Sequence, residues 1–274
     1  MLEFKDKVVF VFHNGSQVYF RNALKSIIKQ GLKVIHIGNT EVVMNGMISI
    51  QMPITDFEKY YVHMSFNGYN NELVCFERWF AIKIVAEKWG LSHFWHLDSD
   101  VALTKEWKNF AQEVEQSGEL FLVSKDGQDF SAHVSYWTLN ALTSFCTFIM
   151  SSYSPKIDND LLIKWERHQT KRLPGGVCDM TLLKNWVKTK RIDVIFKIPN
   201  FYVQDNMNIV AENKLFLEDL KISKNSVYSG EGMILPFIHC QGRAKWLLRF
   251  RSFFSLRVSY FCLKCLYFVI RVLF

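Results

Sequence analysis

Short apolar runs alternate with amphipathic stretches along the chain. The first apolar run, residues 7–12, ends in a polar turn, and the stretch after it carries apolar residues on one face at helical spacing. Gly31 is placed to end this helix, and residues 33–37 form a second, β-branched run. A strand, a helix and a strand in immediate succession form a βαβ unit, so the pattern predicts a parallel sheet.

The same alternation continues through the rest of the chain. It predicts helices over 75–89, 104–114, 135–150, 160–171 and 180–187, the second capped by Thr104, and strands over 119–123, 192–196 and 233–239. Residues 39–70 are less regular. No internal repeat or linker interrupts the pattern, so we predict one continuous α/β domain over residues 1–246.

Two carboxylates follow the buried run 94–97, at Asp98 and Asp100. Residues i and i+2 of an extended chain point to the same side, so both carboxylates aim at one point beyond the strand. Open α/β sheets bind their ligands at that edge. Because two like charges held this close repel, we expect Mg²⁺ or Mn²⁺ between them. The alternative is a strand-end turn with two solvated carboxylates.

Arg78 and Asp179 each have a structural and a functional interpretation. Arg78 lies on the apolar face of its helix and needs a partner there. That partner is either a carboxylate in a structural ion pair or a bound anion. Asp179 follows a Gly-Gly loop and is either the N-cap of the next helix or a carboxylate delivered to a site.

The turn after the first strand, residues 12–15 (Phe-His-Asn-Gly), either holds a nucleotide base or is an ordinary loop. Near the other end, His239 leaves a predicted strand and is followed by Gly242 and Lys245. The glycine lets the backbone approach a ligand, and the lysine can neutralise a diphosphate. A neutral imidazole is an acceptable third ligand for Mn²⁺ beside two carboxylates.

In this order, the segments resemble the GT-A fold nucleotide-sugar glycosyltransferases, most closely the retaining, glycogenin-like and bacterial cell-surface galactosyl- and glucosyltransferases. That group carries an Asp-x-Asp after a buried strand, an Asp at a later helix start and a terminal His-x-x-Gly-x-x-Lys-Pro-Trp. Two departures are visible: Met180 stands where the group has an amide, and Trp246 follows Lys245 without the proline. The resemblance implies a Rossmann-like, mixed and mainly parallel sheet flanked by helices.

The resemblance also implies an activity and roles for individual residues. The activity is retaining transfer of a hexose from a nucleotide-sugar, of the UDP-sugar class, to a glycan or glycolipid acceptor in polysaccharide or lipopolysaccharide synthesis. The implied ligands of Mn²⁺ or Mg²⁺ are Asp98, Asp100 and His239, and Asp179 is the implied catalytic carboxylate on the acceptor side. The expected nucleotide-sugar contacts are Phe12, Asn14, Gly15, Arg78, Asp98, Gly242 and Lys245. The aromatic-rich stretch 130–137 resembles the acceptor region of bacterial polysaccharide glycosyltransferases.

Two competing functions remain open at this point. Nucleotidyl transfer also uses paired carboxylates and Mg²⁺, but the turn at 13–16 lacks the basic residues of a phosphate loop. The other is a non-catalytic, membrane-bound adaptor built on a transferase fold. Retention of both aspartates, the histidine and the lysine argues against the adaptor.

Composition and charge separate the chain into a neutral body and a basic tail. The 49% hydrophobic content excludes a disordered chain. The net charge of +7 first suggests nucleic acid as a partner, but seven of the 33 basic residues and none of the 26 acidic ones follow position 242. The body is therefore neutral, and we expect no nucleic-acid partner. The six cysteines are scattered through apolar segments, unlike those of a disulfide scaffold or a zinc finger, and they fit a reducing compartment.

The tail, residues 247–274, is apolar and aromatic with basic residues every few positions. Arg257, Lys264 and Arg271 are seven residues apart and form one stripe on a helix. The charge-free runs between them are too short to span a bilayer. We expect an amphipathic helix that lies on an anionic membrane, so the protein would be cytoplasmic and peripheral on the inner face. The opening residues read as a strand rather than as a signal peptide. The alternative is a helix packed on the domain's own core or on a partner subunit.

Overall fold

The computed structural model describes residues 7–118, 120–124, 127–203, 221–223, 226–229 and 232–240, together with Lys245 and Leu248. The strands are β1 (Val8–Phe12), β2 (Lys33–Gly38), β3 (Met47–Gln51), β4 (His93–Asp98), β5 (Val101–Leu103), β6 (Leu120–Ser124), β7 (Phe130–Thr138), β8 (Val194–Ile195), β9 (Lys221–Ser223), β10 (Ser226–Tyr228) and β11 (Phe237–His239). The helices are α1 (Val18–Lys29), α2 (Tyr69–Trp89), α3 (Trp107–Ser117), α4 (Leu139–Tyr153), α5 (Asn159–Lys171) and α6 (Asp179–Lys190), with a 3₁₀ turn at Phe57–Lys59.

Seven strands form one sheet in the order β3-β2-β1-β4-β7-β6-β8. The first four are parallel, β7 runs antiparallel to both of its neighbours, and β8 is parallel to β6. Two short antiparallel pairs, β5 with β11 and β9 with β10, lie outside this sheet. The prediction of a mixed, mainly parallel sheet flanked by helices is confirmed.

Helices cover both faces of the sheet, which is why its central strands are continuous apolar runs. One core contains α1 and α3, with Phe20 and Phe110 against the sheet. The other contains α2, α4 and α6, with Trp79, Phe145 and Trp186 buried between them. The result is a three-layer α/β/α arrangement. Among the described helices, none combines the length and hydropathy that a membrane span requires.

The structure corrects several predicted elements. A helix beginning at Ser135 is wrong, because residues 135–138 belong to β7, and α4 begins only where the Thr138 hydroxyl caps the amide of Ala141 at 3.0 Å. Residues 135–138 are aromatic or carry a hydroxyl group, and in the sheet their strand lies between β4 and β6. Packing against these two neighbouring strands decides their conformation. The irregular region 39–70 contains the edge strand β3, which the sequence did not indicate.

Strand register brings the ends of distant segments together. Phe12 at the end of β1 pairs with Asp98 at the end of β4. On the next short strand, Val101 pairs with His239 on β11. The Cys240 amide donates to the Asp100 carbonyl oxygen at 2.9 Å, which fixes the chain after β11 against the turn after β4. The carboxyl edge of the sheet is therefore built from residues more than 200 positions apart.

Candidate active site

Two carboxylates and one imidazole meet at the carboxyl end of β4. One ligand atom from each of Asp98, Asp100 and His239 lies within 4.8 Å of the other two, and His239 Nε2 is 3.3 Å from Asp100 Oδ1. Ligands of Mg²⁺ lie about 2.0–2.1 Å from the ion, so small side-chain movements would bring all three onto one cation. Carboxylate oxygens with one imidazole form a donor set that fits Mg²⁺ or Mn²⁺. The structure thus brings together the three residues predicted as metal ligands.

Asp100 is buried, contrary to the interpretation of a solvated turn. Its side chain is only 7% exposed and lies between His239 and Lys245. Lys245 Nζ is 3.2 Å from Asp100 Oδ2 and lies over the Tyr19 ring, 5.2 Å from its centroid. Burial opposes the charge on Lys245, but Asp100, Tyr19 and Asp98 together outweigh burial and raise the lysine pKa. The lysine is therefore a fixed positive charge at the edge of the site.

Arg78 joins Asp98 to Asp179. Its Nη1 donates to Asp98 Oδ1 at 2.7 Å and its Nη2 to Asp179 Oδ2 at 2.5 Å. The arginine side chain is only 13% exposed. Burial opposes ionisation of Asp98, but the guanidinium and the neighbouring histidines together outweigh it and hold the pKa of this carboxyl well below its ordinary range. Of the two interpretations of Arg78, the structure shows the ion pair.

Asp179 is not the N-cap of α6, which corrects one of its two interpretations. Cys178 occupies that position, and Asp179 is the first helical residue. Its buried carboxylate accepts from Arg78, from Trp79 Nε1 at 3.0 Å and from the Met180 amide at 2.9 Å. A carboxylate has about four acceptor sites, so this one can still accept a hydrogen bond from a bound molecule.

The Gly-Gly loop reaches this place through a tight contact with the chain before α2. Ser65 and Gly176 form an antiparallel bridge, and the Val177 amide donates to the Met64 carbonyl oxygen at 2.7 Å. A Cβ on Gly176 would lie 2.2 Å from that same oxygen, so no side chain fits at this position. The bridge fixes the start of α6 and with it Asp179.

The turn after β1 lies at the same edge of the sheet. Phe12 is partly buried beside Asp98, and Asn14 Oδ1 accepts from the Asn39 amide at 2.8 Å. Gly15 has a φ of +112°, a conformation that favours glycine. Phe12 therefore lies beside the acidic cluster, and Asn14 and Gly15 follow it in the same turn. Gly242, which was predicted as a nucleotide contact near the other end of the chain, lies outside the described residues.

Two buried histidines beside the acidic cluster were not predicted. His96 donates from Nδ1 to the Ala132 carbonyl oxygen at 2.8 Å, and burial together with Arg78 lowers its pKa to about 4. His133 is hydrogen-bonded to Ser131 Oγ at 2.8 Å, and burial lowers its pKa well below the ordinary value. For His96 a signal existed in the sequence, since it is two residues before Asp98 on a strand.

No family model matches the sequence, and no curated protein sequence matches it. Solved structures do resemble it. The bifunctional glycosyltransferase WbbM, without ligand, is 10% identical with a TM-score of 0.51 over 94% of this chain and 52% of that one. The glycosyltransferase GlyE of Streptococcus pneumoniae TIGR4 is 11% identical with a TM-score of 0.50 over 94% of this chain and 64% of that one. The chain thus has the GT-A glycosyltransferase fold and spans between half and two thirds of these two proteins.

Proposed function

We propose that this chain is a metal-dependent glycosyltransferase. Its donor is a nucleotide-sugar, of the UDP-sugar class, and its acceptor is a glycan or glycolipid of cell-surface polysaccharide synthesis. The observation that supports this most is the meeting of Asp98, Asp100 and His239 within 4.8 Å at the ligand-binding edge of a GT-A fold. Lys245, placed beside them, supplies the positive charge that a diphosphate needs.

The chemistry follows from what these residues can hold. Sugar transfer breaks the anomeric C–O bond through an oxocarbenium-like transition state, and negative charge grows on the departing diphosphate. When bound, Mg²⁺ or Mn²⁺ supplies positive charge at that diphosphate. Lys245 is already held in place by Asp100, so it can stabilise the developing charge without reorganisation. The leaving group then needs no general acid.

The acceptor belongs, in this proposal, on the side of Asp179. This carboxylate lies at the start of α6 and is tied to the metal-ligand side through Arg78. With its remaining acceptor capacity it can orient the hydroxyl of an incoming sugar. We include retention of the anomeric configuration in the proposal, and NMR of the newly formed linkage tests it.

An aromatic pair beside the Gly-Gly loop, with one exposed and one partly buried ring, suits a glycan acceptor. Phe66 is 57% exposed, and its ring centroid is 5.0 Å from that of Trp165 on α5. The Phe66 amide donates to the Gly175 carbonyl oxygen at 3.0 Å, so the pair is fixed to the segment that delivers Asp179. Aromatic rings offer a large, rigid apolar surface at low entropic cost. We assign to this pair the packing of a sugar ring of the acceptor.

A screen of nucleotide-sugars with Mn²⁺ tests the proposed function. We expect one nucleotide-sugar to raise the melting temperature only when the metal is present, and to be hydrolysed slowly without acceptor. A chelator should remove both effects. Release of pyrophosphate from a nucleoside triphosphate and a sugar phosphate would instead identify a nucleotidyltransferase. A protein that binds neither Mn²⁺ nor any nucleotide-sugar would be the adaptor.

We also propose a location at the inner face of an anionic membrane. The support is the basic and aromatic sequence of residues 247–274. Of these, the structure describes only Leu248, which is buried in the core that contains α1. At such a surface the enzyme would have access to a lipid-linked acceptor.

A further inference from the structure

The imidazole rings of His133 and His239 are stacked in the buried wall of the site. Their centroids are 4.2 Å apart, and their planes differ by 14°. Both residues are buried, at 2% and 5% exposure. We infer that His133 is a positioning residue that holds the ring of His239 in the orientation of a metal ligand. This inference rests on the proposed metal site.

His133 belongs to a strand of the main sheet. It lies on β7, where it is hydrogen-bonded to Ser131 two residues earlier on the same face of the strand. The register pairs Val134 with Leu97, so His133 is the next position along β7, beside the end of β4 where Asp98 lies. On the other side of β7 the pairing with β6 shifts register, since Leu122 pairs with Ser135 and Val123 with Ser131, so His133 lies in an irregular part of β7 at the end of β4.

His239 is placed on a much smaller structure. The strand β11 has three residues, and in the described part of the chain it pairs only with β5, which also has three. This two-stranded sheet is separate from the seven-stranded one that carries Asp98. The stack therefore connects two separate sheets through side chains. One is the main sheet, which carries Asp98 on β4, and the other contains the short strand β11, which carries His239.

A metal-ligating histidine needs its ring plane fixed, because the lone pair of the ligating nitrogen lies in that plane. Residues that orient a ligand from behind typically contribute about 10–100-fold to metal affinity. A parallel ring at 4.2 Å restricts tilting of His239 out of its plane. The planar shape of residue 133, rather than its nitrogen atoms, carries this effect.

Two apolar variants separate ring shape from simple filling of space. His133→Phe keeps a planar ring, and His133→Leu fills the site without one. Mn²⁺ binding to each purified protein is measured by the EPR signal of the free ion, and folding is checked by circular dichroism. We expect the phenylalanine variant to bind Mn²⁺ within a few-fold of wild type and the leucine variant to bind it about 10-fold more weakly or worse.

His36→Leu is the matched control. His36 is another fully buried histidine of the main sheet, hydrogen-bonded to Ser49 and to the His13 carbonyl oxygen. We expect this control to lower the melting temperature and to leave Mn²⁺ affinity unchanged. Equal affinities of the two His133 variants, whether high or low, would overturn the positioning role. A wild-type protein that binds no Mn²⁺ would overturn the metal site itself, which distinguishes the two failures.

Discussion

Arg78 and Asp179 form an ion pair of 2.5 Å between side chains that are 101 residues apart in the chain. The same guanidinium donates to Asp98. One arginine therefore connects the end of β4, where the predicted metal ligands lie, to the start of α6, where the acceptor carboxylate is proposed. The guanidinium thus links these two segments directly.

Arg78→Met should destabilise the protein strongly. The change leaves two buried or half-buried carboxylates without their cation, and the loss of one partner of a buried pair typically costs about 3–5 kcal/mol. Urea unfolding followed by circular dichroism measures this cost. We expect the double variant Arg78→Met with Asp179→Asn to recover part of it, because the second change removes one of the orphaned charges. A double variant that is less stable by the full sum of the two single costs would contradict this coupling.

Asp100→Asn should abolish sugar transfer and weaken Mn²⁺ binding by roughly 100-fold or more, since even the partners of ligands contribute about 10–100-fold. Asparagine keeps the shape of the side chain but cannot neutralise Lys245, which lies 3.2 Å away. Metal affinity and transfer rate are measured on the same preparation. Asp160→Asn, at an exposed position in the first turn of α5, is the matched control and should change neither. Full activity of the Asp100 variant, or of the wild-type protein in chelator, would contradict the proposal of a metal-dependent glycosyltransferase.

The proximity of Asp98, Asp100 and His239 could be predicted from the sequence. Asp98 and Asp100 follow a buried strand with period two, so both were expected at the end of that strand. His239 leaves another strand, and the resemblance to GT-A glycosyltransferases joined it to the two carboxylates. The partners of Arg78 could not be predicted, since helix periodicity shows that a residue is buried but not which distant carboxylate meets it. The position of His133 depends on the register of β7, and the last four residues of that strand, 135–138, were predicted as the start of a helix.

Trp165→Ala should raise the KM for the acceptor and leave donor hydrolysis unchanged. The indole ring is proposed to pack on a sugar of the acceptor, and stacking on an aromatic ring contributes about 0.5–1.5 kcal/mol, which is a factor of roughly 2–10. Trp165→Phe should recover most of the loss. Initial rates at varied acceptor and saturating donor provide the KM. An equal loss of donor hydrolysis would place the defect in the fold rather than in acceptor binding.

Stability should fall as the pH is lowered below the ordinary histidine pKa of 6.5. Burial lowers the pKa of His36 in the folded protein, and the hydrogen bond to the His13 carbonyl only partly offsets this. Below pH 6.5 the unfolded chain therefore binds more protons than the folded one, so the histidine's contribution is present above that pH and is lost beneath it. Urea unfolding at pH 7.5, 6.5 and 5.5 measures the trend. His36→Gln should make it shallower, and an identical slope in both proteins would remove His36 as a cause.

Deleting residues 250–274 should release the protein from anionic vesicles and leave Mn²⁺ binding and melting temperature unchanged. The boundary follows from the structure, because Leu248 is buried and its carbonyl oxygen accepts from Asn22 Nδ2 at 2.5 Å, so this residue must be kept. Basic residues near an anionic surface contribute about 1 kcal/mol each, and the deleted segment carries four of them and no acid.

Co-sedimentation with vesicles of anionic and of neutral lipid, at low and at high salt, measures the release. The triple variant Arg257→Gln, Lys264→Gln, Arg271→Gln in the full chain is the matched control, because it removes the basic stripe and keeps the apolar residues. It should lose the preference for anionic lipid, since that preference arises from charge and is screened by salt. If the truncated protein unfolds, and the full-length protein ignores anionic vesicles at low salt, the tail packs on the domain's own core and the membrane proposal is wrong.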